Sequence, residues 1–239
     1  MGMRPKVGIV AALEREVAPL AKKFVKRSNG PKGLAIFEKN DVWLVCGGMG
    51  EKQAAAATGW LIASHNPEVV MSVGFAGALI PGCRAGDVIT PGTVVDGKTG
   101  ERYQASQSKE ILVSNSGVLA EEGKRELAAK FGAQAVDMEA AAVAQVAQQN
   151  GIAFFAVKAI SDELDFVMPP MDRFVTEAGK FSTVRFLSYV AVRSGTWMSV
   201  AQLGRNSRKA SSQLCQWLEN QISRDFQDVI STIGAKTRS

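Results

Sequence analysis

The sequence predicts an α/β layer fold, with helices covering a central sheet that is at least partly parallel, and three observations carry that reading. Short β-branched apolar runs alternate with helical patterns along the chain. The 239 residues are 46% hydrophobic, enough to bury one core. Neither an internal repeat nor a low-complexity linker interrupts them, so a single domain spanning residues 1–239 is expected.

The elements follow in order. Residues 7–12 (Val-Gly-Ile-Val-Ala-Ala) read as a strand buried on both faces, followed by a helix whose apolar stripe is Val17, Leu20, Ala21 and Phe24. Residues 34–37 and 42–46 form a hairpin across the turn-forming Lys39, Asn40 and Asp41. The glycine-rich residues 47–50 break the chain before an Ala-rich helix over 51–65. Asn66 and Pro67 then lead into a strand at 69–73, ended by Gly74-Phe75-Ala76-Gly77-Ala78. Strands are expected at 87–95, 111–113, 133–136 and 152–160, with helices over 121–131 and 139–149. A C-terminal helical extension begins near 168. Within it Ala210, Leu214, Trp217, Leu218 and Ile222 recur at helical spacing, so 207–224 is amphipathic, and 231–239 is a frayed tail.

Composition removes several function classes. Charged residues make up 21% and mean hydropathy is +0.01, values of a soluble globular chain rather than a disordered or lipid-spanning one. The net charge of +5 is spread out, with no basic tract to mark a nucleic-acid partner. Cys46, Cys83 and Cys215 are far apart and lack CxxC spacing, which fits reduced thiols and a cytoplasmic location. The first residues lack the apolar core of a signal peptide, so no export is expected. A dinucleotide-binding turn is excluded because Ala11, Ala12 and Leu13 stand where its glycines would be.

His65 is the single histidine and sits at a helix end, so neither a Ser-His-Asp triad nor a metal site is expected. Acid and base chemistry falls to carboxylates near strand ends: Glu14, Glu16, Asp137, Glu139 and Asp162. Each also has a structural reading, as a charged first helical turn or an N-cap.

Six ordered segments give the chain a family likeness: residues 7–17 (Val-Gly-Ile-Val-Ala-Ala-Leu-Glu-Arg-Glu-Val), Gly48-Met49-Gly50, Gly74-Phe75-Ala76-Gly77-Ala78-Leu79, Gly86-Asp87-Val88, Val136-Asp137-Met138-Glu139-Ala140 and Ala159-Ile160-Ser161-Asp162. Over residues 6–190 the chain resembles the purine and uridine phosphorylase superfamily, and within it the methylthioadenosine/S-adenosylhomocysteine nucleosidases. The resemblance implies a three-layer fold with a mixed central sheet, no cofactor and no metal, and a homo-oligomer. It also implies site roles. Glu139 accepts hydrogen bonds from ribose hydroxyls while Met138 packs on the sugar, Asp162 acts at purine N7 with Ser161 orienting it, and Glu16 activates the attacking water. Gly74, Phe75, Ala76 and Gly77 line the substrate, and Val118 and Leu119 border the base.

Those roles suit the chemistry, because cleaving a C–N glycosidic bond builds positive charge on the sugar and negative charge on the departing base. For Asp162 to neutralise the base it must carry or share a proton in a dry pocket. Phosphate-dependent relatives place a Ser or Thr where this chain has Phe75 and an arginine where it has Ser72, and these departures favour hydrolysis over phosphorolysis. Gly48 and Gly50 still offer a possible anion nest at the start of a helix, with Arg15 or Arg84 as sources of charge.

The stretch between Val95 and Val136 is shorter than in typical nucleosidases of this kind, which implies an open 5′ pocket. Residues 168–174, Thr196-Trp197-Met198 and Leu203-Gly204-Arg205-Asn206-Ser207 resemble the hopanoid-associated branch, thought to remove adenine from adenosylhopane. Under that reading Phe186, Trp197 and Met198 supply an apolar surface for peripheral contact with the inner face of the membrane. Two alternatives stay open at this point: a phosphate-dependent purine nucleoside phosphorylase, and a non-catalytic binding protein for a nucleoside or lipid-linked nucleoside.

Overall fold

The computed structural model describes residues 5–117, 119–166 and 197–234 of the chain. A central mixed sheet flanked on both faces by helices is observed, as the sequence predicts. Strands β1 (Val7–Ala11), β4 (Val42–Cys46), β5 (Val69–Ala78) and β11 (Ala153–Asp162) form its parallel heart, with β1 between β4 and β5 and with β5 beside β11. β3 (Ala35–Lys39) makes the expected antiparallel hairpin with β4, and β2 (Val25–Arg27) adds an edge strand beyond it. On the other side β10 (Ala135–Asp137) pairs antiparallel with the end of β5, then β9 (Ile111–Ser114), β7 (Thr93–Asp96) and β8 (Arg102–Gln104) follow.

Alternation of side chains across β1 shows why the sheet needs two covering layers. Val10 faces a core built with α2 (Glu51–His65) and α4 (Ala140–Gln149), whereas Ile9 faces one built with α1 (Ala18–Ala21), α5 (Trp197–Ser223) and α6 (Gln227–Gly234). The α2 layer sits close because its contacts are small. A Cβ on Gly47 would lie 2.7 Å from that of Ala57.

Four differences from the sequence reading matter. Gly74 to Ala78 does not end β5 but continues it, because β11 pairs alongside as far as Gly77. The single strand expected over 87–95 is two, β6 (Val88–Ile89) and β7, since Pro91 lacks the N–H a ladder needs. The helix expected after β1 is shortened to a 3-10 turn at Glu14–Glu16 followed by α1. Helix α5 begins at Trp197, ahead of its apolar stripe, and residues 231–234, expected to fray, belong to α6, where Val229 is buried and Ile230 and Ile233 pack on the core. Residues 235–239 and the start of the C-terminal extension lie outside the described residues. No helix among the described residues is long and apolar enough to cross a membrane.

Leu214 of α5 is fully buried on the face that also holds Phe155 and Val157 of β11. Leu214→Ala is expected to destabilise the protein by about 2–5 kcal/mol, read from the denaturant midpoint. A change below about 0.5 kcal/mol would show that α5 is not part of the core.

Candidate active site

Four of the five expected carboxylates, Glu16, Asp137, Glu139 and Asp162, gather where β1, β5, β10 and β11 end, and glycines make the room for two of them. Glu14 is exposed and pairs with Lys26 at 3.4 Å, away from the cluster. Glu16 follows β1 on the 3-10 turn, is 8% exposed, and accepts the Leu13 N–H at 3.1 Å through Oε2. A Cβ on Gly74 would stand 3.2 Å from that same oxygen, and the positive φ of +153° at this position also favours glycine. Burial pushes the Glu16 carboxyl above its ordinary range, opposed by the N–H groups of Leu13 and Phe75 and by the charges of Lys158 and Arg15.

Asp137 and Glu139 divide the work at the start of α4. Asp137 is wholly engaged. Its Oδ1 accepts from Ser114 Oγ at 2.6 Å, and its Oδ2 accepts the Ala140 N–H at 2.9 Å and pairs with Lys158 Nζ at 2.8 Å. It therefore caps a helix and neutralises a lysine. Glu139 accepts the Gly50 N–H at 2.8 Å through Oε1. Burial, and after it the charge of Asp137, pushes its carboxyl up to about 7. Met138 lines an adjacent pocket with Glu51, Asp96, Ser114, Asn115 and Ala141.

Lys158 is the hub of this cluster. Its side chain is 1% exposed, donates to Ser72 Oγ at 3.0 Å, and pairs with Asp137. Burial works against its charge, but Asp137, Glu139 and Glu16 outweigh burial and raise it above the ordinary lysine range. Asp137 is its ion-pair partner, and the charges of Glu139 and Glu16 add to the hold on the ammonium.

Asp162 ends β11 beyond a bulge, where the register jumps from Ile160 opposite Ala76 to Asp162 opposite Gly77. Its Oδ1 accepts from Ser161 Oγ at 2.7 Å, and that hydroxyl lies 3.4 Å from the Ala76 carbonyl oxygen. Its Oδ2 pairs with Lys124 Nζ at 2.6 Å, and a Cβ on Gly77 would stand 2.8 Å from the same oxygen. Ser161 thus donates to the carboxylate from the neighbouring position, and Lys124 is an addition.

The model of the phosphorylase superfamily matches residues 6–119 and 99–188. The chain belongs to the phosphorylase superfamily. Among curated members, the 5′-methylthioadenosine/S-adenosylhomocysteine nucleosidase of Buchnera aphidicola is 28% identical over 200 residues, covering 67% of this chain and 86% of that protein. The enzyme of the same name from Listeria monocytogenes is 27% identical over 199 residues, covering 65% and 85%. Two solved structures share the superfamily fold. The Neisseria meningitidis 5′-methylthioadenosine/S-adenosylhomocysteine nucleosidase in complex with methylthio-immucillin-A has a TM-score of 0.71 at 18% identity, covering 91% of this chain and 98% of its own. The futalosine hydrolase of Helicobacter pylori has a TM-score of 0.70 at 16% identity, covering 93% and 99%.

Within this superfamily frame the expected anion nest needs correction. The Gly48 N–H donates to the Ala12 carbonyl at 2.9 Å and the Gly50 N–H to Glu139, so both donors serve the protein itself. Arg15 and Arg84 are exposed, and His65 stacks on Trp43 with ring centroids 3.5 Å apart. Phe75 packs partly buried against the core, Leu119 is half-buried, and Val118 lies outside the described residues. Among the described residues no group of three or more His, Cys, Asp or Glu could hold a metal.

Sequence reasoning missed both lysines. Lys158 carried a signal, one cation inside the apolar run Phe154-Phe155-Ala156-Val157-Lys158-Ala159-Ile160. Lys124 carried none, because Glu121, Glu122 and Arg125 beside it make its helix α3 (Glu121–Phe131) read as a solvated face.

A carboxyl raised by folding binds its proton more tightly in the native state, so its contribution to stability falls as pH rises from the ordinary value near 4.5 through about 7. Melting temperature is expected to fall over that window, and Glu139→Gln to flatten the fall. An equally steep fall in the variant would show that Glu139 is not the group responsible.

Proposed function

We propose that this enzyme hydrolyses the N-glycosidic bond of a purine nucleoside carrying a 5′ substituent, releasing adenine. The observation that carries the reading is the charge balance of the cluster: four carboxylates, Glu16, Asp137, Glu139 and Asp162, stand with two ammonium groups, Lys158 paired with Asp137 and Lys124 paired with Asp162. Such a pocket disfavours a phosphate dianion and suits a neutral water nucleophile. The names of the nucleosidase relatives support the same chemistry.

In this account Glu139 accepts hydrogen bonds from the sugar hydroxyls and stabilises positive charge developing at C1′. Glu16, with burial raising its basicity, takes a proton from water as the oxygen bonds to C1′. The C1′–N9 electron pair leaves with the purine, and Asp162, oriented by Ser161, delivers a proton at N7. Water and nucleoside become free sugar and purine. Gly74 and Gly77 keep strand β5 out of the space that the two carboxylates occupy.

The finer reading is a lipid-linked substituent such as adenosylhopane. Its support is the C-terminal resemblance, together with Met198, which is 85% exposed on the first turn of α5. The Trp197 side chain and Phe186 lie outside the described residues.

Adenine release from adenosine, methylthioadenosine, S-adenosylhomocysteine and an adenosyl lipid tests the proposal. Turnover is expected in phosphate-free buffer, with 5′-substituted nucleosides preferred, and Asp162→Asn is expected to lower kcat by roughly 10²- to 10⁴-fold. An unchanged kcat in that variant at saturating substrate would remove Asp162 from its role, and adenine binding without turnover of any substrate would favour the non-catalytic alternative.

A further inference from the structure

The pair between Asp162 and Lys124 is the part of the cluster that the proposed mechanism leaves unused. Lys124 reaches from α3, 38 residues away in sequence, and the two side chains are 3% and 6% exposed. Sealing two charges from water is costly, and an apolar pair of similar size would serve packing as well or better. Helix α3 does not need this lysine as an anchor, since Leu127, Ala128 and Phe131 already pack onto the small core around Leu79, Val95 and Val113.

Resting on the mechanism above, we propose that Lys124 is a positioning and proton-supplying residue that acts through Asp162 on the departing purine. Asp162 Oδ2 stands 2.6 Å from Lys124 Nζ, so a proton on the lysine is one hydrogen bond from the carboxylate that must deliver one to the base. As the C1′–N9 bond breaks and its electron pair moves onto the purine, Nζ gives a proton to Oδ2 and Asp162 gives one to N7. Lysine becomes a neutral amine and Asp162 returns to a carboxylate. Nζ keeps its donation to the Glu163 carbonyl oxygen, 2.9 Å away, so the geometry outlasts the loss of charge. Glu16 releases the proton taken from water to solvent, Lys124 regains one from solvent, and the cycle balances.

This role predicts a dependence on the leaving group. A purine needs a proton to depart, whereas 4-nitrophenolate departs as a stable anion. The experiment measures kcat and KM for a 5′-substituted adenine nucleoside and for 4-nitrophenyl β-ribofuranoside in the wild type and in Lys124→Met, Lys124→Arg and Asp162→Asn. Lys124→Met is expected to lower kcat on the nucleoside by about 100-fold or more while changing its KM, and the nitrophenyl kcat, by less than about threefold. Lys124→Arg keeps a charge beside Asp162 but has no proton to give, so it too is expected to be slow on the nucleoside and normal on the nitrophenyl riboside.

Equal loss on both substrates in Lys124→Met and Lys124→Arg would reduce Lys124 to a structural residue and overturn the proposal. Recovery of the nucleoside rate in Lys124→Arg would do so as well, by showing that fixed charge suffices. A fast Lys124→Met beside a slow Asp162→Asn would remove the lysine alone, whereas a fast Asp162→Asn would remove the acid assignment on which the proposal rests.

Discussion

The site depends on one buried ion pair, Lys158 with Asp137, whose side chains are 1% and 0% exposed. Two charges sealed from water persist when hydrogen bonds support both partners, and here they do. Ser72 accepts from Lys158, while Ser114 and the Ala140 N–H donate to Asp137. The pair ties β11 to the start of α4, so a strand end and a helix start are fixed against each other where Glu139 emerges. Breaking it from one side would leave a buried charge uncompensated, at a cost of about 3–5 kcal/mol.

Around that pair, function is mounted by omission of side chains. Gly74 and Gly77 are the places where β5 carries no Cβ, and the atoms that fill the space are carboxylate oxygens of Glu16 and Asp162. The bulge near Ser161 sets Asp162 opposite Gly77, a register the regular ladder does not provide. A local defect in one strand and missing side chains in its neighbour together place Asp162. Glu16 is placed by a turn at the end of β1 that folds it back onto the Leu13 N–H.

Much of this was legible in the sequence. The strand and helix alternation gave the layered sheet, and the α2 and α3 boundaries follow from helical composition between glycine, Asn-Pro and polar breaks. The carboxylates at strand ends stood out because ligands collect outside the ends of sheet strands, although each also had a structural reading, and Asp137 fulfils its own as a helix cap. What was not legible depended on pairings between distant residues. Gly74 to Ala78 reads as a break until β11 is known to run beside it, and Lys124 reads as surface until α3 is docked over Asp162. The Gly48 and Gly50 amides read as an anion nest until Ala12 and Glu139 are seen to occupy them.

The central claim is that a pocket with four carboxylates and two ammonium groups uses water, not phosphate, as its nucleophile. The direct measurement is turnover of a 5′-substituted adenine nucleoside in ¹⁸O-labelled water with excess inorganic phosphate, trapping the sugar as it forms. The account predicts one ¹⁸O at C1′ of the free sugar and a rate indifferent to phosphate. An unlabelled sugar 1-phosphate, formed only when phosphate is present, would contradict it.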